Sequence, residues 1–321
     1  MSRNRLVRVI VQATGAIIGV ALFVWALRLA FKPENQDAIR SLLDAPLWLV
    51  FAMIALNIAT IVANGLCFWV TAKPVYPLPA KSAILTNAVC SFLAFLPFKI
   101  SAISRVYFHH TRDGLPLRAV VPWMVGYGLT AVATFGPFIA AAFLAPVIGP
   151  AWLIVGVLGA FSCTMLGVGL ARLGDRRFPV LRKVSLGSNV VVRDAKVMLI
   201  ACALRLADIA LQTGRFMVAA KAMGLLLAPD RAAFDASVYF MIGAISPGGV
   251  LGFREGGLAW IGKALAIDQA AAEQIALLAL AVTGAEAATF CVMAVIAAGI
   301  MRLDRLVFRA AKEELAAEEA E

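Results

Sequence analysis

GAISPGGVLGFREGG, residues 243–257, sits between the apolar runs SVYFMI and LAWIGKALAI. Six glycines and a proline in fifteen residues do not hold a regular helix. An interior glycine costs up to about 1 kcal/mol and a proline about 3. Arg254 and Glu255 stand side by side near its end, where exposure to lipid is expensive. Broken backbone at membrane depth is tolerated only when buried in protein or facing a water-filled cavity. The stretch therefore reads as the tip of a re-entrant hairpin, residues 236–262, lining a site.

The surrounding chain supports a membrane setting. Its 321 residues are 62% hydrophobic and only 15% charged, with mean hydropathy +0.89. That balance belongs to a polytopic membrane protein. The net charge of +10 comes from Lys and Arg in short segments between apolar runs. This is the cytoplasmic-loop excess of a membrane protein, with any surplus drawing anionic headgroups, and nucleic acid is not an expected partner. The five cysteines fall inside apolar runs without paired spacing, so neither a disulfide framework nor a metal site follows. His109 and His110 are adjacent and point about 100° apart on a helix, a poor chelate. No cofactor is expected.

Working outward, the apolar runs predict spans at 9–31, 46–72, 117–148, 150–172, 195–224 and 270–301. The first, 23 residues, is about 34 Å long as a helix and sufficient for a bilayer. It follows Arg3, Arg5 and Arg8 and is too long for a signal-peptide core, so it reads as a retained span. Pro122 and Pro137 are expected to kink the third. A second re-entrant hairpin is predicted at 80–110, because its apolar core, 83–98, is short for a crossing and ends at Pro97. Lys73 and Lys81 precede it, and Lys99, Arg105, Arg112 and Arg118 follow. Bases on both flanks place its two ends on one membrane face.

The 172–196 loop carries seven bases (Arg172, Arg176, Arg177, Arg182, Lys183, Arg193, Lys196) against two acids, a cytoplasmic marker. With six spans and two hairpins, that loop, the 73–118 segment and both termini are cytoplasmic. The 32–45 loop, the 146–151 turn and the 225–235 link are then outside. The expected location is a bacterial inner membrane.

The halves resemble one another at an offset of roughly 150. Each reads span, span, broken hairpin, span: 1–149 and 150–301, with a charged tail at 302–321. Asn57 and Asn64 correspond to Asp208 and Arg215. Three full crossings per unit invert the second copy, and inverted repeats with broken helices are a recurrent transporter plan whose breaks point to the substrate.

The candidate substrate-binding residues follow from this arrangement. Glycines at a break, Gly248 and Gly249, expose backbone N–H groups suited to an anion. Arg254 and Arg105, one from each hairpin, add guanidinium contacts to phosphate. Glu255, Asp208, Arg215 and Glu286 are intramembrane charges, open to pairing with one another or to contacting a headgroup. The glycine stretch lacks the GK[ST] of a nucleotide-binding P-loop. Neither a D-x-D pair nor a G-x-S-x-G is present, so no catalytic residue is assigned.

NAVCSFLAFLPFKISAISR, with its Asn, Leu-Pro and closing Arg, and ISPGGVLGFRE together resemble the two signature stretches of the lysylphosphatidylglycerol synthase transmembrane (flippase) domain family. The likeness runs from the first span to the sixth. The second stretch carries Pro247, Gly248, Gly249, Gly252, Arg254 and Glu255. The first departs where Phe98 and Lys99 lead into Ser101 instead of a Gly-Glu step. Asn87 and Lys99, within that first stretch, join the candidate residues.

The resemblance implies an integral membrane domain that moves an anionic or aminoacylated phospholipid, or a polyprenyl-linked lipid, between leaflets. With about twenty residues after the sixth span, the chain is expected to lack the transferase domain of the synthases. A homodimer or a partner lipid-modifying enzyme is the expected association. Two other readings stay open: a membrane-embedded transferase acting on polyprenyl-phosphate lipids, and a non-catalytic subunit of a lipid-modifying complex.

Overall fold

A computed structural model of the chain describes residues 3–97, 99–177, 186–246, 249–264 and 269–303. Among them every regular element is helical. In chain order these are α1 (Arg3–Ala30), α2 (Gln36–Leu43), α3 (Leu47–Ala72), α4 (Ala80–Leu93), α5 (Ile100–Asp113), α6 (Leu117–Phe143) and α7 (Ala145–Ile148). There follow α8 (Trp152–Arg177), α9 (Asn189–Val192), α10 (Ala195–Ala222), α11 (Pro229–Ile245), α12 (Phe253–Ala264) and α13 (Gln269–Met301). Among the described residues, five stretches are long and apolar enough to cross a membrane: Leu47–Ala72, Leu117–Phe143, Ala145–Gly174, Ala195–Ala222 and Glu273–Met301. The protein is an all-helical, multi-pass membrane protein.

Helix starts follow from local chemistry. Pro46, Pro79 and Pro116 occupy the N-cap positions of α3, α4 and α6 in extended conformations. Asp194 caps α10 by accepting the Val197 N–H at 3.1 Å, satisfying one of the orphan donors of a helix start. The α6 helix continues through Pro122 and Pro137. It stops at Phe143, earlier than the expected 148. Pro146 then starts α7, and Pro150 starts the short 3₁₀ turn that leads into α8. The proline ring favours a helix's first positions and disfavours its interior. Two segments expected as loops carry helix: α2 within 32–45, and the beginning of α11 at Pro229, inside the 225–235 link.

The two long helices α3 and α10 pack along each other, with α4 wedged between α3 and α13 and α11 packed on α10 and α6. α8 covers α6, and α1 covers α12 and α13. The largest apolar core joins α6, α10, α11, α12 and α13 through Phe135, Phe138, Phe216, Tyr239, Leu258 and Val282. Outward faces of α8 and α13 expose Leu153, Ile154, Leu158, Leu166, Val295 and Ile300, the apolar surface that lipid tails solvate. At the end of α1, Lys32 bonds Glu273, which holds its ammonium above the usual lysine value.

Close approach depends on glycine at two places. A Cβ on Gly65 would lie 2.8 Å from Ile84 Cα, so α3 and α4 touch backbone to side-chain root. Gly252, at φ +82°, faces the Gly19 carbonyl of α1, where an added Cβ would come within 1.8 Å of the oxygen. Gly252→Ala is therefore expected to lower stability by about 1–3 kcal/mol through strain and steric displacement. Thermal unfolding in detergent reads the effect. Gly136→Ala, whose Cβ meets nothing within 4 Å, is the control that leaves the transition in place.

Candidate functional site

The two predicted breaks exist and meet. α4 ends at Leu93, and α5 restarts at Ile100 after Lys99 in a left-handed conformation (φ 55°). α11 ends at Ile245, and α12 restarts at Phe253. Between the tips, the Val250 N–H donates to the Ala94 carbonyl at 3.2 Å. Gly249 (φ 122°) passes so close to the other tip that a Cβ there would be 3.0 Å from the Leu96 carbonyl oxygen. Only glycine serves at that backbone angle and distance. Pro247 and Gly248, singled out in the sequence, lie outside the described residues, as do Phe98, Arg182, Lys183 and residues 304–321.

Behind the joined tips lies a cavity of about 470 Å³. Arg105 from α5, Arg254 from α12, and Arg215 from α10 line it, with Glu286 from α13 as the one acidic residue among the described residues of the wall. Three arginines against one glutamate leave the wall at a formal charge of +2. Asn64, Asn87, Ser91, Ser101, Tyr127 and Gln212 supply neutral polar groups.

Each charge is seated by neighbours distant in sequence. Glu286, 1% exposed, bonds Arg215 through Oε1 and accepts from Arg254 Nη1 at Oε2 at 3.0 Å. Arg215 also donates to Asn57 Oδ1 at 3.0 Å, and Asn57 Nδ2 reaches Thr289 Oγ1 at 3.3 Å. The Tyr239 hydroxyl lies 2.6 Å from Thr283 Oγ1 and 3.4 Å from Glu286 Oε2. Gly243 leaves the room that the Arg254 guanidinium fills, because a Cβ there would meet Nε at 2.2 Å.

A second polar layer lies further along the α3–α10 seam. Arg205 donates to Asn64 Oδ1 at 2.7 Å, and the Tyr127 hydroxyl donates to the same oxygen at 3.1 Å. The Arg205 guanidinium lies over the Tyr127 ring at 4.2 Å and 3.6 Å from Asp208 Oδ2.

Arg105 differs from the others. Its Nη2 donates to Asn87 Oδ1 at 2.8 Å, and Asn87 is turned to receive it by its own bond to the Ile61 carbonyl at 2.8 Å. The guanidinium lies 3.6 Å over the Phe68 ring, which is itself stacked on Tyr127. Arg105 is 5% exposed, and its Nη1 is buried without a hydrogen-bond partner. Among the described residues, its polar contacts are neutral. A buried cation without a counter-ion is costly, so a site that keeps one is prepared for an anion.

Arg105, Arg215, Arg254, Glu286 and Asn87 thus come together around one cavity. Four expected residues among those described do not line it: Gly249, at the tip contact, and Glu255, Asp208 and Lys99. Glu255, fully buried, accepts the Gly252 N–H at 2.6 Å and bonds Thr283. A glutamate at the third helical position reaching back to the N-cap amide is half of a capping box, so Glu255 holds the start of α12. Asp208 stays within the second layer. Lys99 stands at the tip, its ammonium 3.5 Å from the Ala244 carbonyl. The sequence reading missed Tyr239, Thr283 and Tyr127. The chain has four tyrosines, and finding two inside apolar runs is the signal that was available, since a buried tyrosine hydroxyl needs a partner.

No family model matches the chain, and neither the curated proteins nor the solved structures give a match.

Proposed function

We propose that this protein moves a phosphate-bearing lipid between leaflets, the headgroup passing through the arginine-lined cavity while its acyl chains stay in the bilayer. The observation that carries the reading is Arg105: buried, uncompensated, and aimed into a cavity that both broken hairpins reach. Arg254 approaches from the other hairpin, and two arginines converging on one anion give the forked contacts that phosphate favours. The resemblance to the lysylphosphatidylglycerol synthase flippase domain family implies either an anionic or an aminoacylated phospholipid, two classes that differ in the charge the cavity wall would meet.

The architecture proposed is six spans, with α1 as the first, plus two re-entrant hairpins, α4–α5 and α11–α12, related by an inverted repeat. The packing pattern supports it. Pairing α1 with α8, α3 with α10, α4 with α11, α5 with α12 and α6 with α13 maps many helix contacts onto others: α4 on α13 answers α11 on α6, and α6 on α8 answers α13 on α1. The central pair crosses antiparallel, with Asn57 meeting Arg215 and Asn64 meeting Arg205.

An apolar groove of about 400 Å³ between α3, α10 and α13, lined by Leu49, Met53, Val218 and Val292, lies beyond the Asn57–Arg215–Glu286 layer. In the proposed cycle, that layer closes the cavity on one side and opens when the halves rock, as in other inverted-repeat carriers. Basic segments at 73–118 and 172–196 put both termini in the cytoplasm of a bacterial inner membrane.

The test is scrambling of fluorescent phosphatidylglycerol in reconstituted vesicles. Arg254→Ala is expected to slow it about tenfold, the loss of one charge-assisted hydrogen bond of roughly 1.5 kcal/mol. An unchanged rate in a folded variant removes Arg254 from the mechanism.

A further inference from the structure

The cavity carries an inference about which lipid it accepts, and it rests on the transport reading above. A cationic amine on a headgroup needs a free carboxylate or an open aromatic face. Glu286, the acidic residue on the wall, is held at one oxygen by Arg215 and at the other by Arg254. Glu255 is committed to the Gly252 amide and Thr283, away from the wall.

Among the described lining residues, three of the five aromatic rings have cations or other rings over their faces. Phe68 has Arg105 over its ring and Tyr127 stacked on it, and Tyr127 and Phe240 face Arg205. The two remaining rings on the wall, Phe95 and Phe290, pack on each other with centroids 6.2 Å apart. An ammonium entering this space would meet a wall of formal charge +2 at short range and weak screening, where like charges repel strongly. The neutral groups Asn64, Ser91, Ser101 and Gln212 suit hydroxyls instead.

We infer that the site selects a net-anionic phosphodiester headgroup bearing hydroxyls and excludes headgroups carrying an amine, whether zwitterionic or aminoacylated. Selectivity here comes from positive design toward phosphate and from charge placed against the amine.

The experiment follows three fluorescent lipids in phosphatidylcholine vesicles containing the full chain: phosphatidylglycerol, phosphatidylethanolamine and lysyl-phosphatidylglycerol. Dithionite quenching of the outer leaflet reads the rate, and soluble glycerol 3-phosphate is added as a competitor in a parallel set. The expected result is phosphatidylglycerol moving at least about tenfold faster than either amine lipid, a preference equivalent to one unfavourable buried charge contact of about 1.4 kcal/mol, with little inhibition by glycerol 3-phosphate. Equal rates for phosphatidylglycerol and either amine lipid overturn the exclusion and leave the transport reading standing. Strong inhibition by glycerol 3-phosphate overturns the lipid as the recognised source of the anion. No lipid moving above the rate of protein-free vesicles overturns both. Because the comparison is made on the unmodified protein, it does not depend on a variant folding.

Discussion

Glu286→Ala is expected to cost about 3–5 kcal/mol of stability, because it leaves the buried Arg215 and the partly buried Arg254 without a counter-ion. Glu286 is the one acidic residue within ion-pairing distance of either arginine among the described residues. Arg215 is 2% exposed. The loss should appear as a large drop in the thermal unfolding midpoint in detergent, and in lipid as reduced yield of folded protein. Glu286→Gln keeps the shape and an acceptor oxygen, so it is expected to retain part of the loss's difference but not the charge balance. The pairing itself is tested by a cycle: Arg215→Met added to Glu286→Ala should recover stability, with a coupling of about 1–3 kcal/mol. If the double variant is as unstable as the sum of the two singles, Glu286 is not the counter-ion that holds this layer.

Arg105→Met is expected to do the opposite: lipid scrambling falls by about 100-fold while stability stays close to that of the parent. The rate follows from losing a charge-assisted contact to phosphate, worth up to about 3 kcal/mol in a dry site. The stability follows from two opposing effects. The variant frees the fold from an uncompensated buried cation and keeps packing on Phe68 through the methionine sulfur. Against that, Asn87 Oδ1 loses its donor. A stable variant with unchanged scrambling would show that Arg105 is buried for reasons of packing, and the cavity would lose its principal anion contact. A variant that unfolds would show instead that Arg105 is a structural cation after all. Measuring midpoint and rate on the same preparation separates the three results.

Much of the architecture was legible in one dimension because it rests on local causes. Glycine and proline density at 243–257 interrupts a helix wherever it is placed, and the break between α11 and α12 falls there. The short apolar core before Pro97 likewise ends α4 near its expected place. Apolar length predicts α3, α10 and α13 within a few residues, since a bilayer-long helix needs little tertiary help. The errors were also local. The 32–45 segment reads as a loop in the sequence, whereas α2 lays one apolar face on the bundle, packing Ile39 and Leu42 against the main core. The end of α6 was placed five residues late because the run stays apolar through 148 and hydropathy does not register where Pro146 restarts the backbone.

What the sequence by itself determined is which charges fall inside the apolar runs and the two places where the chain must break, because hydropathy and backbone propensity depend on near neighbours. Only the tertiary structure decided how those charges are shared. Glu286 meets Arg215 and Arg254 across 71 and 32 residues, Glu255 turns inward to cap its own helix, and Arg105 is left facing the cavity with neutral partners. Charge balance in a low-dielectric interior is set by distances of a few ångströms between segments far apart in the chain. The composition of a segment carries no record of which distant residue will lie beside it.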